Sequence, residues 1–206
     1  EIKTEADLVA YLKAWRPTYE PGTYRTYSNL GIGLLGTIAA RSMNADFNSL
    51  MQQHLFPELG MTSSYIDVPD ARKDDYAEGY HKQGAPVRMR GGMLGAQAYG
   101  VKTTAADLVR FMQANIDPSA LDAGLQQAVT QTHTGYFQVG QMTQDLIWEQ
   151  YAYPVTLDAL LKGNSSAVIL NPTPLSLITP PQAPRKVVLI RRSSLNLRSQ
   201  TIRFDI

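Results

Sequence analysis

The chain contains no cysteine, which excludes disulfide bonds, thiol nucleophiles and thiolate metal sites. It has only three histidines, His54, His81 and His133, spaced too far apart to suggest a ligand cluster. Each reads as structural or solvent-facing. No run of about eighteen apolar residues occurs, and the stretch from Glu1 to Leu12 alternates charged with apolar positions instead of building a signal peptide. Nothing in it reads as a membrane segment. The lack of cysteine suits an oxidising compartment and a reducing one alike, so it decides nothing about location. No internal repeat is visible.

What is present is a chain of 206 residues with 44% hydrophobic content and a formal net charge of +1, long enough for one domain with a real core. The near-neutral charge hides an asymmetry. Glu1 to Pro184 carries 13 basic and 17 acidic residues, whereas Arg185 to Ile206 carries 6 basic residues against Asp205 alone. With Phe204 as its one aromatic residue and no base-reading motif, this tail reads as solvated or non-native rather than as a nucleic-acid arm.

Thr4 with Asp7 three residues on predicts a capping box, followed by Leu8, Tyr11, Leu12 and Trp15 on one helical face and Pro17 as the stop. Residues 16–26 form a loop that delivers the chain to Tyr27-Ser28-Asn29. Leu30 to Arg41 is apolar nearly all round, with Gly31, Gly33 and Gly36 thinning its surface; such a helix is expected to be central and closely packed on several sides. Ser28 or Asn29 is placed to cap it. A further helix is expected over 46–55 with Pro57 as its stop. Periodicity then fails from Gly60 to Lys102, an excursion of a length that is usually functional. Thr104 and Asp107 predict a second capping box. The next helix is expected to start near Pro118 and to include Leu121, Leu125 and Val129. Strands are expected over 136–139, 146–151 and 166–170, with a helical turn over 156–162 closed by Gly163. Trp15 and Trp148 read as core, and Lys102 and Glu149 as structural.

Tyr11-Leu12-Lys13-Ala14-Trp15, Glu20-Pro21-Gly22-Thr23, Tyr27-Ser28-Asn29 followed by Gly31-Ile32-Gly33-Leu34-Leu35-Gly36, and Gln97-Ala98-Tyr99-Gly100-Val101-Lys102 stand in this order. A weaker block runs from Met142-Thr143-Gln144 to Trp148-Glu149. Together they resemble the class C serine β-lactamases, the cephalosporinases. The resemblance implies an α/β (α+β) fold of the serine β-lactamase and penicillin-binding-protein type, a helical domain beside a mixed sheet, with part of the sheet missing here. It implies a partial domain over 1–184, with an omega loop over about 68–99, and a basic tail over 185–206 that is not family-like. It also implies acyl transfer through a serine nucleophile, without metal or other cofactor, in a periplasmic, soluble, monomeric protein whose partner is a β-lactam and not nucleic acid or membrane. In the family's pattern Tyr27 is the general base or acid beside the serine, with the question whether this tyrosine or a lysine takes the proton left open. A tyrosine titrates near pH 10 when free, so it serves near neutrality only beside positive charge. Asn29 would donate its amide to the substrate's side-chain carbonyl, and Tyr99 would wall the acyl side-chain pocket.

Two family elements are missing. No serine has a lysine three places on, so no Ser-x-x-Lys nucleophile occurs, and no Lys-Thr-Gly follows the proline-rich loop. The simplest account is a chain that begins partway through a longer protein. Some codons for Asn or His, Lys and Thr read one base out of frame give Ile190-Arg191-Arg192, although Ser193 does not return the glycine; a frameshift is thus a hypothesis that the coding DNA tests. Within the matching region, Gly95 replaces an aspartate, and Asp145 and Ile147 replace two glycines, substitutions expected to disturb local turns. For the chain as it stands, a non-catalytic remnant is favoured over activity. A peptidase acting on D-alanyl-D-alanine, or an esterase of the same fold, is a third reading. Bare of its flanking strands, the apolar helix predicts marginal stability or aggregation.

Overall fold

A computed structural model describes residues 2–88, 91–183 and 187–190. The first helix, α1 (Glu5–Ala14), opens on the expected capping box: the Thr4 hydroxyl accepts from Asp7 N–H, and the Asp7 carboxylate accepts from Thr4 N–H at 2.9 Å. These bonds to the ionised form hold the Asp7 carboxyl below its usual range. Leu8 alone of its apolar residues is buried, and Trp15, read as core, is 53% exposed. The extended strand β1 (Tyr24–Arg25) then leads into α2 (Asn29–Ser42), which Ser28 caps by accepting from Gly31 N–H at 2.9 Å. Asn29 is the first helical residue and not the cap.

After α2 the helix expected over 46–55 is three pieces end to end: α3 (Phe47–Ser49), a π-turn (Leu50–Leu55) and α4 (Phe56–Glu58). Pro57 does not stop it. Phe56 N–H reaches back five residues to Met51 C=O, and this widened turn accommodates a ring that would clash in a regular helix. The chain turns instead at Gly60, where φ is +69°. Phe56, Leu59, Met61 and Ile66 form the buried centre of the helical region.

The excursion from Gly60 to Lys102 is far from structureless. It holds a 3₁₀ turn (Asp70–Asp75), a hairpin of β2 (Gly79–Tyr80) and β3 (Pro86–Val87), and α5 (Gly95–Tyr99). Reciprocal backbone bonds between Tyr65 and Lys102 close its base, and Lys102 Nζ donates to Ile66 C=O at 2.7 Å. Midway, Arg88 lies over the Tyr76 ring and donates to the carbonyls of Tyr76 and Ala77.

Thr104 caps α6 (Ala105–Ile116), but the expected second box does not close. Asp107 is buried and turns away from the cap, accepting from Ser63 N–H and Ser64 Oγ while pairing with Arg110. A carboxylate with three such donors inside the core offsets its desolvation better than one solvated cap bond could. The helix expected near Pro118 begins later: Pro118–Ala120 is a 3₁₀ turn, and α7 (Ala123–Thr132) starts after its own cap, Asp122.

The sheet follows, with β4 (Gly135–Val139), β5 (Met142–Gln144) and β6 (Glu149–Ala152). The strand expected from Leu146 thus starts three residues late, since Asp145 N–H bonds Trp148 C=O and closes a turn. Then come α8 (Leu157–Gly163) and α9 (Ser166–Leu170). Residues 166–170 are helical where a strand is expected, because the four-residue apolar run after Ser166 has too little periodicity to separate the two states. Finally β7 (Thr173–Pro174) pairs with β1, and β8 (Ser176–Gln182) and β9 (Val187–Ile190) complete an antiparallel sheet in the order β8-β4-β5-β6-β9. Val139, Met142 and Tyr151 are its buried face. The basic tail lies outside the described residues except for β9, which pairs with β6.

The central helix departs most from expectation. Its Gly33 and Gly36 side meets α5 so closely that a Cβ at either position would overlap Leu94 or Gln97. Ile32, Leu35 and Ile38 are exposed, so α2 is packed on that side and bare on another.

Candidate active site

Among the described residues strand β1 pairs only with the short β7, and its firm tie to the main sheet is a side chain. Arg25 donates through Nε to Gln144 Oε1 at 2.7 Å and ion-pairs through Nη2 with Glu149 Oε1, the two side chains being 14% and 3% exposed. Glu149, read as structural, is therefore the buried anchor of the segment that carries Tyr27. Two residues on, Tyr27 is half-buried, and Ser28 and Asn29 turn the chain into α2.

Asn29 faces a shallow cleft of about 150 Å³ between the start of α2 and α5, lined also by Leu30, Met93, Leu94 and Tyr99. The structure thus brings Asn29 and Tyr99 to one cleft, whereas Tyr27 is not among its lining residues. Tyr99 is the last residue of α5 rather than a loop aromatic. Its hydroxyl accepts from Gly92 N–H at 3.2 Å, and its ring crosses Gly95, where a Cβ would stand 3.3 Å from the ring edge. The glycine at 95 therefore seats the tyrosine that walls the cleft.

Reading by motif missed a second polar group, at the turn between β5 and β6. Asp145 is 3% exposed; Oδ1 accepts from Gln150 Nε2 at 2.7 Å, and Oδ2 has no partner. Burial pushes its carboxyl up from 3.8 to about 6, against the opposing pull of the Gln150 bond. Gln150 also donates to His133 C=O, and the buried His133 ring meets Asn115 through Nε2 and Trp148 edge-on. Desolvation lowers the His133 pKa. Trp148, read as core, is half-buried and stacks on Phe111 from the other side. Neither Asp145 nor Ile147 has a positive φ, so neither side chain is held in a backbone conformation that favours glycine. The departure left its signature in charge burial instead. Among the described residues no group of three histidine or acidic side chains is gathered to hold a metal ion.

A β-lactamase family model matches residues 1–178. The chain belongs to the β-lactamase family. It is 44% identical over 193 residues to a β-lactamase of Pseudomonas fluorescens, covering 94% of this chain and 54% of that protein. Among solved structures it is similar to a class C β-lactamase in complex with cefoxitin, at 46% identity and a TM-score of 0.86, covering 91% of this chain and 52% of that one. It is also similar to the D-alanine carboxypeptidase AmpC of Burkholderia cenocepacia, at 55% identity and a TM-score of 0.85, covering 90% and 53%. The mixed serine β-lactamase fold is thus present in part, and the chain spans about half the length of the relatives it matches.

Proposed function

We propose that this chain is the Tyr-Ser-Asn half of a serine hydrolase that opens β-lactams, cephalosporins among them, through an acyl-serine. The observation that carries the reading is the shared cleft of Asn29 and Tyr99 at the mouth of α2, directly after Tyr27. An amide that both donates and accepts, beside an aromatic wall, suits a ligand with an amide side chain on an apolar group. Tyr27 acts as base or acid on the serine once lysine charge is brought beside it. The setting on this reading is the periplasm, the protein is a monomer, and the role is antibiotic resistance.

The chain itself holds no Ser-x-x-Lys, so alone it is a non-catalytic remnant of that lineage. The test is hydrolysis of a chromogenic cephalosporin by the purified chain and by a protein in which the missing segments are restored. No turnover in the first, and turnover in the second that falls sharply in Tyr27→Phe, is expected. Turnover by the chain alone that survives Tyr27→Phe would overturn the assignment.

Cleavage of D-alanyl-D-alanine peptides is the second reading, favoured by similarity to a structure named a D-alanine carboxypeptidase. Preference of the restored protein for a peptidoglycan peptide over the cephalosporin would select it.

A further inference from the structure

Tyr27 stands two residues beyond Arg25, and the hold on Arg25 can be followed inward one bond at a time. Arg25 Nε donates to Gln144 Oε1 at 2.7 Å. The other end of the same amide, Gln144 Nε2, donates to the carbonyls of Asp145 and Trp148 at 3.1 and 3.0 Å. Those carbonyls belong to the turn between β5 and β6, which Asp145 N–H closes on Trp148 C=O at 2.9 Å. One side chain thus clips the turn shut with its nitrogen and holds Arg25 with its oxygen.

The carboxyl of Asp145 lies inside this turn, 3% exposed, with Oδ1 on Gln150 Nε2 and Oδ2 without a partner among the described residues. A neutral carboxyl is tolerable there, whereas a carboxylate holds its charge on a bare oxygen inside the fold. The groups around it bring no relief. From α7, His133 turns Nε2 to Asn115 of α6, and burial lowers its pKa, so the ring is neutral above pH 6.5. From β6, Glu149 is a second acid, matched by Arg25 of β1. From β4, Gly135 presents bare backbone, on which an added Cβ would stand 3.6 Å from Oδ1. The route to water is the turn itself, since Leu146 and Ile147 at its tip are already 57% and 42% exposed. Swinging it outward wets Oδ2, breaks the closure between Asp145 and Trp148, and takes from Gln144 the carbonyls that orient its amide.

We infer that Asp145 is a proton-linked positioning residue for the Tyr27 segment: protonated, it lets the turn between β5 and β6 stay shut; ionised, it opens the turn and, through Gln144, slackens the hold on Arg25. The ion pair of Arg25 with Glu149 survives the opening, so the segment loosens and does not leave the sheet. Because the carboxyl is pushed up to about 6, the change falls between mildly acid and neutral pH. The linkage stands on the bonds just described; its consequence for catalysis, a Tyr27 better placed in acid, rests on the function proposed above.

The test is amide hydrogen exchange of the full 206-residue chain, followed over residues 24–28 and 145–148 at about pH 5 and about pH 7.5, corrected for the intrinsic rate and repeated in a little urea below the unfolding transition. If the freed carboxyl returns to 3.8, protection of both segments falls about 10-fold between the two pH values, and the exchange is indifferent to urea, as a local opening is. Asp145→Asn should abolish the change in both segments. Gln144→Leu should abolish it in residues 24–28 while residues 145–148 keep it. Protection that is the same at both pH values, a fall that Asp145→Asn retains, exchange that follows urea as global unfolding does, or a Gln144→Leu chain whose residues 24–28 still follow pH would each overturn the inference; Asp145→Asn decides it if Gln144→Leu does not fold. No turnover enters this readout, so failure of the hydrolase reading leaves the linkage standing, and a hydrolase without the linkage sinks the inference alone.

Discussion

Asp145 titrates where most carboxyls are already ionised, and its substitution by asparagine isolates what that costs the fold. With the carboxyl raised from 3.8 to about 6, the folded chain holds a proton between those values that the unfolded chain has released. The stabilising contribution of the protonated form is complete below pH 3.8 and is lost as pH rises through 6. A displacement of that size corresponds to about 3 kcal/mol. Asp145→Asn keeps an oxygen to accept from Gln150 Nε2 and puts a neutral amide where Oδ2 lacks a partner. Urea unfolding of both proteins from about pH 4 to about pH 8 is the assay. The variant should gain on the parent by roughly 2–3 kcal/mol across that range, most of the full difference. Taking the difference removes the opposite contribution of His133. Its depressed pKa gives stability that is present above 6.5 and lost as pH falls, and it is common to both proteins. A stability difference that does not change with pH would refute the claim that Asp145 is ionised at a cost in the folded chain.

Arg25→Met leaves Glu149 buried without its cation, and the expected loss is about 3–5 kcal/mol in denaturant unfolding; Arg25→Met paired with Glu149→Leu should recover most of it. Gly36→Ala pushes a methyl group toward the Gln97 side chain and the Phe47 ring, so α2 and α5 must separate; a loss of about 1–3 kcal/mol is expected, whereas Gly84→Ala, with open space but φ of +81°, reports backbone strain alone. Thr4→Ala removes one half of the capping box on α1 and should cost about 1 kcal/mol, seen first as faster amide exchange at Asp7. Thermal unfolding of the isolated chain should have a low midpoint, below the roughly 45 °C at which mesophilic domains begin to cluster, and a midpoint well above that would contradict the destabilising role given to the bare flank of α2.

The sequence by itself determined the features that depend on neighbours along the chain. Thr4 with Asp7, and Ser28 before an apolar run, set helix starts through bonds three residues long, and such bonds can be read from spacing. The ordered blocks around Tyr27, Asn29 and Tyr99 indicated the family, and the lack of any serine with a lysine three places on was legible from spacing alone. Local signals failed where the partner is remote. Thr104 and Asp107 have the spacing of a capping box, yet Asp107 is taken by Ser63 and Ser64, more than forty residues back. Pro57 reads as a stop, yet a π-turn carries the helix past it. Residues 166–170 read as strand because the four apolar residues after Ser166 carry no period. Asp145 looked like a loop substitution and is a buried acid, because burial is decided by Gln150, His133 and Trp148 meeting around it. Composition showed α2 to be apolar all round; only the tertiary structure decided which side is packed. Close approach of α5 over Gly33 and Gly36 requires those glycines, while the opposite flank stays exposed because no element among the described residues lies over it.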